Sequence, residues 1–325
     1  MSQELPFEPF PFITDPHHQT IISSFINLIF DPSSDRVIVP LPDGDKLSVE
    51  VTTPREWKPT DLTVIMVHGL CGSHRSPYLI RMVNRLEPEG IRAVRVNLRG
   101  CGSGKGLAKY MYHSGRSEDI FETIKHLKAQ TPASPFVLIG FSLGGNIVLK
   151  MGGELGSLGN QFLSGLIAIS PPVDLYASVT MLGTVDNAIY ENYFVRLMCA
   201  DVRYRHKKFK ELPRVKLPSK LKIYEFDQLY TAPQYGFRDA NDYYSKCSAA
   251  ALVEDIAVPC KILVAEDDPI VSAKSLDSYQ LPSNVDVFKT KKGGHMGFLG
   301  NPMEGKGLYW LDSLLVDWIL EFKKK

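Results

Sequence analysis

The chain has 325 residues, of which 44% are hydrophobic and 22% charged, with a formal net charge of +1. This is the balance of a globular protein with ample core-forming material, and the near-neutral charge gives no basis for a nucleic-acid partner or a strongly anionic ligand. Five scattered cysteines (Cys71, Cys101, Cys199, Cys247 and Cys260) form no Cys-x-x-Cys pair, which speaks against a disulfide framework or a zinc site and fits a reducing, cytoplasmic compartment.

The start, MSQELPFEPFPF, lacks the basic residues and apolar run of a signal peptide. The stretch IISSFINLIF, residues 21–30, is the one candidate anchor and is too short and interrupted to span a bilayer. DRVIVPL, the turn PDGD and KLSVEVTT then predict a β-hairpin. LTVIMVHG is an apolar run ended by glycine, the pattern of a strand buried on both faces. A helical pattern over residues 77–86 leads to a second buried strand, IRAVRVN, and SEDIFETIKHLKAQ is amphipathic with an acidic first turn, as a helix would be. The strand PFVLIG, the helix GGNIVLKMGGEL and the strand LSGLIAIS follow. Late in the chain come the strands CKILVAEDD and VDVFKTKK and a closing amphipathic helix, YWLDSLLVDWILEFKKK.

Strands alternating with helices predict an α/β fold with a mainly parallel central sheet and helices on both faces. Residues 171–250 break the rhythm. They are rich in aromatics and proline and carry a basic run, RYRHKKFKELPRVKLPSKLK, at 203–222. They are expected to form a mostly helical insertion within a single domain of residues 1–325, covering the carboxyl ends of the strands as a cap. The basic run is either a solvated face or a contact for an anionic membrane surface.

One stretch carries more chemistry than the rest. Gly140-Phe141-Ser142-Leu143-Gly144 fits G-x-S-x-G, with a strand before it and a helix after it. A strand turning this sharply into a helix strains the serine backbone, and side chains two residues before and after it would collide, so glycine is required there. The helix N-terminus then points free N–H groups and the positive end of its dipole at the serine oxygen.

A nucleophilic serine needs a base and an orienting acid, expected on this architecture in the order Ser, acid, His, each in a loop after a later strand. KILVAEDDPIV places Asp267 and Asp268 just past a strand, and KTKKGGHMGF places His295 in a glycine-flanked loop after the next. Asp267 and Asp268 are not separable by chemistry alone. Counting three residues from Ala265, where related folds place the acid, selects Asp268. Among the other histidines, His17 and His18 precede the predicted sheet, His206 lies in the basic run, and His113 in YHSG is either the alternative base or a support for the pocket. The developing oxyanion needs two backbone donors. Leu143 supplies one, and Leu70 in His68-Gly69-Leu70, after the strand TVIMVHG, is the candidate for the other.

The blocks HGLCGSHRSPY, VNLRGCGSGKG, YHSGRSEDI, GFSLGGN, FDQLYTAPQYGFRDANDYY, AEDDP and GGHMGF, with the earlier DPHHQT and PDGD, resemble the successive motifs of the YheT-like α/β-hydrolases. That group is related to eukaryotic α/β-hydrolase-domain lipases and yeast ethanol acyltransferase/esterases, and the resemblance covers nearly the whole chain. It implies an α/β-hydrolase fold, a triad of Ser142, Asp268 and His295, and carboxylesterase or acylglycerol-lipase activity on acyl esters or lipids. Many eukaryotic relatives carry an N-terminal anchor, which is not expected here. Such chemistry calls for no metal or organic cofactor. Two alternatives stay open: acyl transfer to an alcohol through the same triad, and a non-catalytic binding module on the same fold.

Overall fold

The computed structural model describes residues 2–25, 30–303 and 305–323. In chain order the strands are β1 (Gln3–Glu4), β2 (Asp35–Pro40), β3 (Lys46–Thr52), β4 (Thr63–Val67), β5 (Arg92–Asn97), β6 (Phe136–Phe141), β7 (Gly165–Ile169), β8 (Cys260–Ala265) and β9 (Val285–Thr290). The helices are α1 (Pro16–Phe25), α2 (Pro77–Leu86), α3 (Ser117–Gln130), α4 (Leu143–Leu155), α5 (Leu175–Leu182), α6 (Ala188–Lys208), α7 (Ile223–Phe226), α8 (Ala232–Gln234), α9 (Ala240–Cys247) and α10 (Trp310–Lys323). The strands make one sheet in the order β1-β9-β8-β7-β6-β4-β5-β3-β2, parallel except where β3 pairs with β2 and β5.

The central strands β4, β6 and β7 are almost wholly apolar because both faces of the sheet are covered. Along β4, Val64 and Met66 point into a core built with α2 and α10, while Ile65 and Val67 point into one built with α3 and α4. Each such side chain, fully buried, contributes about 1.5–3 kcal/mol. Parallel β4 and β6 at the centre bring the loops at their carboxyl ends together, and β7, β8 and β9 add theirs in sequence.

Between β7 and β8 lies a helical segment, α5 to α9. Arg205, at the end of α6, is 1% exposed and donates to the carbonyls of Arg99, Ala108, Lys109 and Tyr110, fastening α6 to the loop after β5. His206 is buried beside it, so these two members of the basic run are structural rather than solvent-facing. The exposed cations are Arg203, Lys207, Lys208, Lys210, Arg214, Lys216, Lys220 and Lys222. Over 214–221 they alternate with half-buried Val215, Leu217 and Leu221, which pack on the main core.

Two elements went unpredicted. β1 adds a short parallel edge strand to β9, so the sheet starts before His17 and His18 rather than after them. Part of the candidate anchor, residues 21–25, ends helix α1, and its residues 26–29 lie outside the described set, as do the last two residues of the closing helix segment. No described helix is long and apolar enough to cross a membrane.

Candidate active site

Ser142 stands at the junction of β6 and α4 with φ +51° and ψ −121°, a conformation that costs a side-chain-bearing residue about 1–3 kcal/mol. The two flanking glycines make the turn possible. A Cβ on Gly140 would lie 2.3 Å from the Gly144 carbonyl, and one on Gly144 would lie 2.5 Å from the Val67 carbonyl and 2.6 Å from that of His68. Because those oxygens belong to packed backbone, Gly144→Ala is expected to cost about 3 kcal/mol, a fall of about 5 °C or more in melting temperature. A melting curve unchanged within a degree would show that the turn can relax.

Among the described residues, the five non-glycine residues with positive φ lie in loops after strand ends: Cys71 after β4, Ser142 after β6, Ser170 after β7, and Met296 and Phe298 after β9. Strained backbone thus gathers at one end of the sheet, where the site lies.

His295, in the loop after β9, has its Nε2 2.8 Å from Ser142 Oγ and its Nδ1 2.8 Å from Asp268 Oδ2. Asp268, in the loop after β8, is buried, and its Oδ1 accepts the N–H groups of Ile270 and Val271 at 2.8 and 2.9 Å. With its carboxylate fixed this way, Asp268 accepts a hydrogen bond from Nδ1–H, a tautomer that leaves Nε2 free to accept from the serine hydroxyl. Asp267 faces the other way. Its Oδ1 accepts from the Gly294 N–H at 2.9 Å, its Oδ2 has no partner among the described residues, and burial pushes its pKa up.

The loop after β4 approaches from the other side, and a Cβ on Gly69 would lie 3.1 Å from Ser142 Cβ. The Gly69 and Cys71 N–H groups donate to the hydroxyls of Tyr78 and Tyr112, leaving the Leu70 N–H between them without a partner among the described residues. Leu143, first residue of α4, has the second such N–H. His68 is fully buried. Its Nδ1 donates to the Gly69 carbonyl at 2.7 Å and its Nε2 accepts from the Leu98 N–H at 3.2 Å. Burial lowers its pKa to about 4, so it stays neutral and serves as a brace.

Among the described residues no other histidine hydrogen-bonds to Ser142. His113 lines the same cavity but packs against Tyr235, Phe237 and Tyr243, and burial lowers its pKa to about 3. His17 stacks on Tyr190 of α6 with Nδ1 3.1 Å from its hydroxyl. Several supporting residues carried no local signal. The His295 N–H donates to Thr20 Oγ1, and Gln19 exchanges hydrogen bonds with the backbone of Leu299, so α1 props the histidine loop. Asn146, on α4, binds the Ser114 and Cys247 carbonyls and the Ala249 N–H, tying α4 to the helical segment above it.

Ser142, His295, Leu70 and Leu143 open onto a cavity of about 760 Å³, counting its open mouth, that reaches between the sheet and the helical segment. Leu175, Val179, Leu182, Phe194, Met198 and Ile223 supply an apolar wall.

A strained serine between sheet and helix, with a histidine and an aspartate from later loops, matches one class of protein. The chain belongs to the alpha/beta hydrolase fold family, whose family model matches residues 63–302. Within it the chain falls with the YheT-like members. It is 30% identical to the "Putative esterase YheT" of Escherichia coli over 99% of this chain and 95% of that protein. It is 28% identical to the monoacylglycerol lipase of Saccharomyces cerevisiae over 79% of this chain and 57% of that protein. Among solved structures, Est1E from Butyrivibrio proteoclasticus with bound ferulic acid shares the fold, with a TM-score of 0.58 at 16% identity over 89% of this chain and all of that one.

Proposed function

We propose that the chain hydrolyses carboxylic esters at Ser142 through an acyl-enzyme, with His295 as base, Asp268 as its orienting acid, and the Leu70 and Leu143 N–H groups as oxyanion donors. The chain is a carboxylic ester hydrolase of its family, and the observation supporting these roles is the unbroken relay of 2.8 Å contacts from Asp268 to a strained, accessible serine. Ser142 Oγ attacks the carbonyl carbon as its proton passes to His295 Nε2. The charge forming on the carbonyl oxygen meets the two N–H groups, and the imidazolium is held by Asp268. Collapse transfers the proton from Nε2 to the departing alcohol. Water, activated by the same nitrogen, then attacks the acyl-serine and releases the acid.

The apolar wall favours an acyl or alcohol chain of hydrocarbon character, and the helical segment over residues 171–250 serves as the cap that shapes it. A series of p-nitrophenyl esters of increasing acyl length is expected to show a kcat/KM maximum at medium length, where the wall is filled. A flat profile would detach chain recognition from this cavity. With ethanol added, hydrolysis predicts free acid as the product, whereas accumulation of ethyl ester would favour acyl transfer.

A second reading concerns where such esters are met. Lys222 Nζ donates to the Gly183 carbonyl at 2.8 Å, joining the end of the basic strap to the turn that carries Val185 and leads into Ile189 of α6, both large apolar residues left exposed. A basic strap beside exposed apolar side chains favours contact with an anionic lipid surface. Each cation near such a surface is worth about 1 kcal/mol. Vesicles containing phosphatidylglycerol are therefore expected to co-sediment the protein several-fold more than pure phosphatidylcholine vesicles, and a variant with Lys207, Lys208, Lys210, Lys216 and Lys220 changed to Gln should lose the difference. Equal sedimentation of the wild type on both would end this reading.

A further inference from the structure

The cavity holds a carboxyl group for which the proposed mechanism has no use. Asp227 begins the turn Asp227–Thr231, which winds as a π-helix between α7 and α8. Single π turns of this kind recur at functional sites. The residue is only 5% exposed, yet it lines the same cavity as Ser142, together with Thr231 and Tyr244. The Thr231 hydroxyl donates to Oδ1 at 2.6 Å and the Tyr244 hydroxyl to Oδ2 at 2.7 Å.

These two bonds fix the carboxylate plane and still leave each oxygen with acceptor capacity. No lysine or arginine pairs with it among the described residues, and the cavity it lines carries the apolar Leu175, Val179, Leu182 and Ile223 beside the polar Ser178, His113 and Tyr243. Burial raises its pKa to about 6, so the anionic acceptor is the main form at neutral pH. A buried carboxylate with acceptor capacity left over after its two hydroxyl donors is stabilised by a further donor in the cavity. Pinning the π turn alone would not need a group that opens onto the substrate space.

We infer that Asp227 is a specificity-determining residue that accepts a hydrogen bond from a hydroxyl on the substrate, so that the preferred esters are hydroxylated ones. The inference rests on the ester hydrolase reading of this cavity. A neutral hydroxyl suits the site better than an ammonium group, because the apolar wall penalises a charge on its way in. Esters lacking the hydroxyl leave the carboxylate without its third donor, and sites built to bind a hydroxyl discriminate strongly against analogues that lack one.

The test compares matched pairs of esters. One arm varies the acyl side, ω-hydroxyacyl against plain acyl p-nitrophenyl esters from four to ten carbons. The other varies the alcohol side, octanoate esters of glycerol against those of propanol. In the wild type, kcat/KM is expected to favour the hydroxylated member at least about tenfold in one arm, in line with a hydrogen bond to a charged acceptor. In Asp227→Asn, that ratio should collapse toward one, whatever loss is common to both members. Ratios near one in both arms of the wild type overturn the inference even if no variant folds. So does an Asp227→Asn protein that loses both activities equally and keeps the wild-type ratio, the signature of a purely structural aspartate. An ω-aminoacyl ester preferred over its hydroxyl counterpart would overturn the choice of hydroxyl. Turnover of the plain esters and fluorophosphonate labelling of Ser142 in the wild type report separately on the hydrolase reading.

Discussion

Replacing Ser142 by alanine is expected to lower kcat for ester hydrolysis by about 10⁵-fold or more and to abolish labelling by a fluorophosphonate probe. The hydroxyl is the only group at this position able to form the covalent bond, and it is the one hydrogen-bond partner of His295 Nε2 among the described residues. Cys71, the nearest cysteine in sequence to the oxyanion loop, is no substitute, because burial pushes its thiol pKa up to about 12 and leaves no thiolate. The Leu70 and Leu143 N–H groups and the cavity would survive the substitution, so a small residual rate over water is expected. Alanine keeps the same backbone strain at φ +51°, and the serine hydroxyl bonds only to His295, so the fold should hold. A melting temperature close to that of the wild type, measured on the same sample, separates lost chemistry from lost structure. Labelling that persists in Ser142→Ala would remove the serine from the mechanism.

The parts of this protein that were legible in its sequence are those whose causes are local. β4 (TVIMV) and β6 (FVLIGF) are short and almost wholly apolar because they are covered on both faces, and that is visible without any partner. Gly140 and Gly144 are legible for the same reason: the clash each avoids is set by the turn itself. Ser142, Asp268 and His295 could be ordered because a parallel sheet delivers consecutive loops to one edge.

What escaped depends on partners far along the chain. β1 has two residues, too few to show a period, and exists because Gln3 and Glu4 find the edge of β9. Gln19 and Thr20 look like ordinary helix residues, and their bonds to Leu299 and His295 cross some 280 residues. Asp227 sits in the aromatic-rich block FDQLYTAPQYGFRDANDYY, where nothing local distinguishes it from the other two aspartates. Only the packing of α9 on the π turn shows that one carboxyl in the block faces the cavity.

The choice between the adjacent aspartates gives the second large effect. Asp268→Asn is expected to lower kcat by about 10⁴-fold with little change in stability. Its Oδ2 accepts from His295 Nδ1, while Oδ1 is held by the N–H groups of Ile270 and Val271. An asparagine in the same place keeps its carbonyl on those two N–H groups and turns its NH₂ toward Nδ1. The histidine must then put its proton on Nε2, which can no longer accept from Ser142. Asp267→Asn should behave differently. One of its oxygens accepts from the Gly294 N–H, a role an amide carbonyl can fill, and the other is buried without a partner among the described residues. Loss of that charge is expected to change kcat by less than about tenfold, since the histidine loop keeps its anchor. Both variants should be assayed with one p-nitrophenyl ester beside their melting curves. If Asp267→Asn fell 10⁴-fold while Asp268→Asn stayed active, the assignment of the acid would move one residue back. If both fell together, the two carboxyls would act as a unit, with Asp267 positioning the loop that carries His295.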